Sequence, residues 1–534
     1  MIKITCFGGA GSVTGSNYLI ETSDGKRLIV DCGLFQGSRE EERRNWDDWG
    51  YDPAQIKNVI LTHAHIDHSG RIPKFVKDGF RGRIIASPPT VELSQIMLLD
   101  SAHVQEMEAE WHTKRNRRQA RQRMEPLYTT EDARESLRYL SSTEPDEVID
   151  VEPGIRARFR TAGHILGSSI AELWIENDGK VMKIVFSGDL GGQDPLIVEK
   201  PFEIGEAHYL FIESTYGGRT HRPLEESKAE LLEAIQYAVA HHEKVIIPAF
   251  AVERTQEILY LLGEFSRAGK LPNIPVYLDS PLAIKATEIF RNNKKYYDEH
   301  ARALVAKGLD PFDVPNLKMT LTTRDSIEIN EYQGSAIIIA GNGMCTAGRI
   351  THHLKHNLWR AGASVVIVGF QGQGTTGRQI VDGAKSVTIF GEKIAVRAKV
   401  FTIGGLSAHA DQRDLLAWVA PFAKKAKPKV FVVHGEPMAC QALAAEIKKR
   451  YGLDVFVPGA KEVLKLGPRE GVFEIVPHIT PVDQRQTMVR VAAGLESEIA
   501  TLREQLAAGK REFSEIDVDK LKEIQEELHV VVSE

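Results

Sequence analysis

The sequence predicts an α/β protein on two observations: short β-branched runs alternate with stretches of helical period, and a polar residue follows many of those runs. At 534 residues the chain has room for roughly two to four domains with sizeable cores. In chain order the strand candidates are Arg27 to Val30, Asn58 to Thr62, Lys183 to Phe186, Tyr209 to Ile212, Lys244 to Ile247, Pro275 to Leu278, Ser335 to Ala340, Ser364 to Gly369 and Lys429 to Val433. Asp31, His63, Asp189, Glu213 and His434 stand just beyond the ends of five of them. Ligands of open α/β sheets bind outside the carboxyl ends of strands, so residues this far apart in sequence can share one site.

Two later strands echo each other. Ile337-Ile338-Ile339-Ala340 runs into a Gly-rich turn from Gly341 to Arg349, and Val365-Val366-Ile367-Val368 runs into another from Gly369 to Arg378. Bare backbone N–H groups beside a guanidinium suit a phosphate. From about Asp483 the character changes: Leu495, Ile499, Leu502 and Leu506, then Leu521, Ile524 and Leu528, predict a helical hairpin. Its apolar face packs on the body, on a partner, or on a second copy to give a homodimer; all three remain open.

Composition excludes several classes. Sixty-seven basic against 73 acidic residues leave a net charge of −6, so the whole chain has no cationic footprint. A local exception is Lys114, Arg115, Arg117, Arg118, Arg121 and Arg123, a basic strip that reads either as a solvated helix face or as a phosphate contact. No apolar run reaches the roughly 18 to 20 residues that span a bilayer, and the start lacks a signal-peptide pattern, so the expectation is a soluble, cytoplasmic protein with no membrane partner. Cys6, Cys32, Cys345 and Cys440 form no C-x-x-C pair, which leaves metal binding to His and Asp.

That chemistry concentrates in Thr62-His63-Ala64-His65-Ile66-Asp67-His68-Ser69-Gly70. Imidazole nitrogen and carboxylate oxygen are ligands that divalent zinc accepts, and a short loop can aim them at two neighbouring positions. Two metals need more ligands than one loop offers. His164, in a Gly-flanked turn, and Asp189, in Ser187-Gly188-Asp189-Leu190, are suited to supply them.

Asp31, the His-x-His-x-Asp-His loop, His164 and Asp189 resemble, in order and context, the four signature motifs of the metallo-β-lactamase superfamily. Glu213-Ser214-Thr215-Tyr216-Gly217, Ser407-Ala408-His409-Ala410-Asp411 and Val433-His434-Gly435-Glu436 resemble motifs A, B and C of its β-CASP nucleases, and the resemblance covers roughly residues 1 to 470. It is similar to prokaryotic relatives of the pre-mRNA 3′-end processing endonuclease.

The resemblance implies an αβ/βα sandwich from residues 1–208 and 398–475 and an inserted β-CASP domain at 209–397; the apolar spacing of the tail adds a helical extension at 483–534. It implies two zinc ions per chain: one on His63, His65 and His164, the other on Asp67, His68 and His434, with Asp189 bridging and Asp31 orienting ligands from behind. Two such ions about 3.5 to 4 Å apart activate water and polarise a phosphoryl group. It further points to His409 as general acid with Glu213 orienting it and to Asp67 serving catalysis as well as ligation; with the Gly-rich turns, RNA phosphate contacts are expected at Ser407, Gly343, Arg349 and Arg378. His434, where DNA-acting members often carry Val, favours single-stranded RNA as substrate, and His-Ala-His-Ile-Asp-His favours internal cleavage over 5′-to-3′ exonuclease action.

Three rivals share part of this pattern. A hydrolase of small thioesters or lactones explains His63 to Asp189 but leaves Glu213 and His409 without a task. A dinucleotide binder explains Gly372-x-Gly374-x-x-Gly377 alone. A catalytically silent scaffold has no need of the full ligand set.

Overall fold

A computed structural model describes residues 1–117, 125–177, 179–372, 374–467 and 473–476. The helix Pro88–Arg117 leads into the basic strip, whose side chains from Lys114 to Arg123 lie outside the described residues, as does the tail from 483 to 534.

Two sheets face each other. One has eight strands, in the order Phe473–Val476, Val463–Leu466, Ile2–Gly8, Asn17–Glu21, Arg27–Val30, Asn58–Ile60, Arg83–Ala86 and Leu140–Ser142. The other has seven: Val455–Phe456, Lys429–Val432, Tyr209–Ile212, Lys180–Phe186, Ser169–Asn177, Ile155–Thr161 and Ile149–Glu152. Because side chains alternate across a strand, Leu28 and Val30 point inward to a core shared with Phe159, Leu173, Phe186 and Phe431 of the opposite sheet. Ile29 points outward, where Phe75 and Val76 of the helix Ile72–Lys77 cover it. On the far side Leu415, Trp418 and Leu443, from the helices Gln412–Lys425 and Pro437–Tyr451, cover Val185, Leu210 and Val430. The result is the expected αβ/βα sandwich.

A third sheet has six strands in the order Leu317–Met319, Val276–Leu278, Ile337–Ala340, Val245–Pro248, Ser364–Ile367 and Lys399–Thr402, with every neighbouring pair parallel. Helices bury both of its faces, which is why Ile337-Ile338-Ile339 is apolar without alternation. Leu231, Leu259 and Phe290 pack on one face, Ile350, Leu354 and Ile380 on the other.

Both expected boundaries of the insert shift. Tyr209–Ile212 is a fully buried strand of the seven-stranded sheet, paired with Ile184–Phe186 and with Lys429–Val432, so the chain leaves the sandwich after it rather than at 208. Lys399–Thr402 pairs with Ser364–Ile367 in the six-stranded sheet, so the return falls after 402 rather than at 397. Strands at a crossover look alike in sequence, and only pairing assigns them.

One apolar cluster ties the layers together: Ala64, Ile165 and Leu166, from the loops carrying His63 and His164, pack with Val252, Leu259 and Ile403. Among the described residues no helix is long and apolar enough to cross a membrane.

Candidate metal centre

The polar residues at the strand ends converge. Beyond Asn58–Ile60 the chain makes one more sheet hydrogen bond, from Leu61 N to Ile85 O, and then turns away. His63 and His65 precede the short helix Ile66–Ser69, whereas Asp67 and His68 lie on it, so the loop points ligands to two sides. Neighbouring loops hold that helix by its carbonyls: Ser16 N donates to Asp67 O at 2.9 Å, Leu34 N to Ile66 O at 2.8 Å and Cys32 N to His68 O at 2.7 Å. Gly33 is required here, because a Cβ at that position falls 1.6 Å from Asp67 O.

On one side, His63 Nε2 and His164 Nε2 lie 3.2 and 3.0 Å from His65 Nδ1, and 3.6 and 3.7 Å from Asp189 Oδ2. On the other, His68 Nε2 and His434 Nε2 lie 3.3 and 3.5 Å from Asp189 Oδ1, with Asp67 Oδ2 3.8 Å from His434 Nε2. Atoms each about 2.0 to 2.1 Å from a tetrahedral cation lie about 3.3 Å apart, so both sets have the dimensions of a metal site. A third group, Asp189, Glu213 and His409, adjoins them.

Asp189 tests the fit. Its carboxylate is 1% exposed, yet neither oxygen accepts a hydrogen bond from the protein. A buried, unsatisfied carboxylate is costly, and a cation on each side relieves that cost. The donor set of imidazole and carboxylate suits a borderline cation such as zinc.

Electrostatics agree. Burial holds His63 and His164 well below the usual imidazole range and brings His65 to about 4, which keeps them in the neutral form that ligates metal. Burial also opposes charge on His68, but the Asp189 and Asp31 carboxylates outweigh it and push that imidazole well above its ordinary value. These carboxylates demand positive charge at this point, from a proton or from a cation.

Asp31 stands behind the ligands as expected, and Thr62, Ser16 and Glu253, which no sequence motif singles out, join it. Asp31, at φ 59°, accepts from Thr62 N at 2.8 Å and from Thr62 Oγ1, and contacts His68 Nδ1 at 2.7 Å, which fixes that ring with Nε2 toward Asp189. Thr62 was read only as part of the loop. Ser16 Oγ is hydrogen-bonded to His434 Nδ1 at 2.8 Å. Glu253, buried and at φ 65°, accepts from Leu166 N at 3.0 Å and so braces the His164 turn from the third sheet. Its carboxyl is pushed up by burial and by Glu257. Neither Ser16, a lone hydroxyl in a loop, nor Glu253 left a signal in the sequence.

Glu213, fully buried, accepts from Leu190 N at 2.7 Å and Thr215 N at 3.1 Å. Its Oε1 lies 3.2 Å from His409 Nδ1, which is 3.9 Å from Asp189 Oδ2. The His409 ring packs 4.3 Å from that of His164 and its side chain is 22% exposed. Burial opposes its protonation, but Glu213 outweighs this by charge and hydrogen bond, and the imidazole rises to about 9.

The expected phosphate contacts fare differently. Ser407 Oγ accepts from His409 N at 3.3 Å, which places it beside the centre. Arg349 is engaged elsewhere: it donates to Asp279 Oδ1 at 2.7 Å and to the Thr320 and Leu321 carbonyls at 2.8 Å, so its guanidinium clamps the end of the third sheet. Arg378 pairs with Asp382 at 2.9 Å across one helical turn. Gly343 leaves space for the Phe250 ring, which a Cβ would meet at 3.0 Å.

Comparison with known proteins agrees with this architecture. Family models match at residues 10–249 for the metallo-beta-lactamase superfamily, 255–380 for the Beta-Casp domain and 393–458 for the Zn-dependent metallo-hydrolase RNA specificity domain. The chain is 37% identical over 442 residues to a ribonuclease of Thermus thermophilus, covering 83% of this chain and 95% of that protein. A transcription termination factor FttA of Thermococcus kodakarensis is 32% identical over 486 residues, 87% of this chain and 71% of its own. An RNase J-like protein of Methanocaldococcus jannaschii is 30% identical over 471 residues, 87% of this chain and all of its own. With such relatives along most of its length and a centre built from the strand ends of its sandwich, the chain belongs to the β-CASP family of metal-dependent hydrolases.

Proposed function

We propose that this protein is a cytoplasmic zinc-dependent ribonuclease that cuts single-stranded RNA internally, with two zinc ions on the two ligand sets that share Asp189. The observation that carries the reading is the third group: an imidazole held against a buried carboxylate at the edge of the two ligand sets. A lactamase-like hydrolysis of small molecules needs only the first two.

Bound zinc supplies activated water and polarises the phosphodiester. The chain's own contribution is the proton. His409 donates through Nδ1 to Glu213, so the ring is fixed and Nε2 is left to protonate the departing ribose oxygen. As the water oxygen bonds to phosphorus and the P–O bond breaks, that proton neutralises the leaving alkoxide, and His409 recovers a proton from solvent. Glu213 is a positioning residue, because its other contacts, Leu190 N and Thr215 N, fix it in place. The four cysteines are free and buried, as fits a reducing compartment. RNA as substrate is supported by the ribonuclease relative and by the RNA specificity domain at 393–458.

The test is digestion of one RNA prepared with a 5′-triphosphate, a 5′-monophosphate, a 5′-hydroxyl or as a closed circle. Internal cleavage predicts that the circle is cut and the 5′ end matters little. An intact circle with dependence on a free 5′-monophosphate would replace this reading by 5′-to-3′ exonuclease action.

A further inference from the structure

Beside the metal centre the chain exposes rings where an α/β protein ordinarily buries them. Phe250 and Phe370 are 42% and 43% exposed. They stand at the carboxyl ends of neighbouring parallel strands, Val245–Pro248 and Ser364–Ile367, and Phe250 packs against Gly343 and Gly369. A line of contacts leads from Phe370 to the centre. The exposed Arg219 guanidinium lies 5.4 Å from the Phe370 ring and 4.4 Å from the Tyr216 ring, and Tyr216 meets His409 edge-on at 5.9 Å. Tyr216 and Arg219 follow Glu213 in the sandwich, whereas Phe250 and Phe370 belong to the third sheet, so the line crosses from one to the other.

The rings are held in place. Gln371, buried, donates through Nε2 to Gly343 O at 2.9 Å and Phe370 O at 3.1 Å, which locks one Gly-rich turn to the other. Gly377 N donates to Met344 O at 3.2 Å and adds a second tie between them. Arg219 pairs with no carboxylate among the described residues, so its charge is available to a phosphate. Exposed aromatic faces, an unpaired guanidinium and a fixed backbone beside a hydrolytic centre are the elements that bind unpaired bases: rings stack on bases while cations follow the backbone.

We infer that Phe370 and Phe250, with Tyr216 and Arg219, form a stacking platform for unpaired bases next to the scissile phosphate, so that the enzyme selects single strands by ring contact rather than by base identity. The inference rests on the proposed ribonuclease reading and adds the residues that recognise the strand. Bases paired in a duplex are stacked on each other and cannot use these rings, so a duplex forfeits the contact. All four bases present a π face, so sequence preference at these positions is weak.

The experiment compares wild type with Phe370→Ala, Phe250→Ala and the conservative Phe370→Trp on a single-stranded RNA, intact or with one abasic ribose placed in turn at positions around the cut. Binding is measured in parallel by fluorescence polarisation on the His409→Ala background. One abasic position should raise KM roughly tenfold or more with kcat little changed, as expected for the loss of one stacked base. Phe370→Ala should show that rise on intact RNA and no further rise at that abasic position, and Phe370→Trp should restore both. Unchanged KM and Kd in folded, metal-loaded Phe370→Ala and Phe250→Ala, or a full abasic penalty persisting in Phe370→Ala, overturns the platform. If wild type cuts no RNA, the ribonuclease reading fails, and the polarisation arm still decides the platform.

Discussion

Asp31 stands in the left-handed region and commits its two carboxylate oxygens to Thr62 and His68. Few L residues adopt that backbone without cost, and here the cost is met by the aim of one imidazole. Asp31→Ala should therefore lower metal affinity or activity by about 10- to 100-fold while the fold persists, as titration against a competing chelator would show. Retained affinity would mean that the His68 ring is held by packing alone. Legibility at this scale was uneven. The cluster could be read because three imidazoles and a carboxylate in one loop have few uses other than metal binding. Thr62 and Ser16 could not, because a lone hydroxyl in a loop is common. The engagement of Arg349 was not legible either, since a guanidinium after a Gly-rich turn looks the same whether it faces a phosphate or, as here, Asp279 and two carbonyls.

At the scale of elements, the helix Ile66–Ser69 makes a sharp case. It has four residues, and the loops around Ser16 and Gly33 hold it by its carbonyls. Gly33→Ala drives a Cβ into Asp67 O, so the helix must move; destabilisation of about 1 to 3 kcal/mol, with loss of bound metal, should appear in denaturant unfolding and metal analysis. A second element is the end of the strand Val276–Leu278. There Asp279 binds Thr320, Ser326, His353 and Arg349, and despite burial the hydrogen bonds from His353, Ser326 and Thr320 lower its carboxyl to about 2. Because the folded value is depressed below the ordinary value of about 3.9, the stabilisation is present above that value and is lost as pH falls through about 2. Asp279→Asn should flatten the acid limb of the stability curve and lower stability at neutral pH, both measurable by thermal melts across pH. An unaltered acid limb would assign that transition to other carboxylates. Strand positions were legible from the β-branched runs, but sheet membership was not: Tyr209–Ile212 and Lys399–Thr402 changed sides on pairing that no run of apolar residues encodes.

Across the whole molecule, the metal loops and the third sheet are not independent. Ala64, Ile165 and Leu166 share a core with Val252 and Leu259, and Glu253 receives Leu166 N across the same junction. Glu253→Ala leaves that amide without its partner; a loss of about 1 to 3 kcal/mol, with weaker metal retention, is expected in unfolding and metal-content measurements. The sandwich and its insert were legible because motifs spread from Asp31 to His434 follow one order, and the exposed rings were not, because exposure of Phe250 and Phe370 is a property of the folded surface.

The central claim is that the bound metal and a separate imidazole divide the chemistry between them. His409→Ala, assayed for single-turnover cleavage of a labelled single-stranded RNA with zinc content measured on the same sample, tests it directly. The account predicts two zinc ions retained per chain and cleavage slowed about 10²- to 10⁴-fold. Cleavage at the wild-type rate with both ions bound would contradict it.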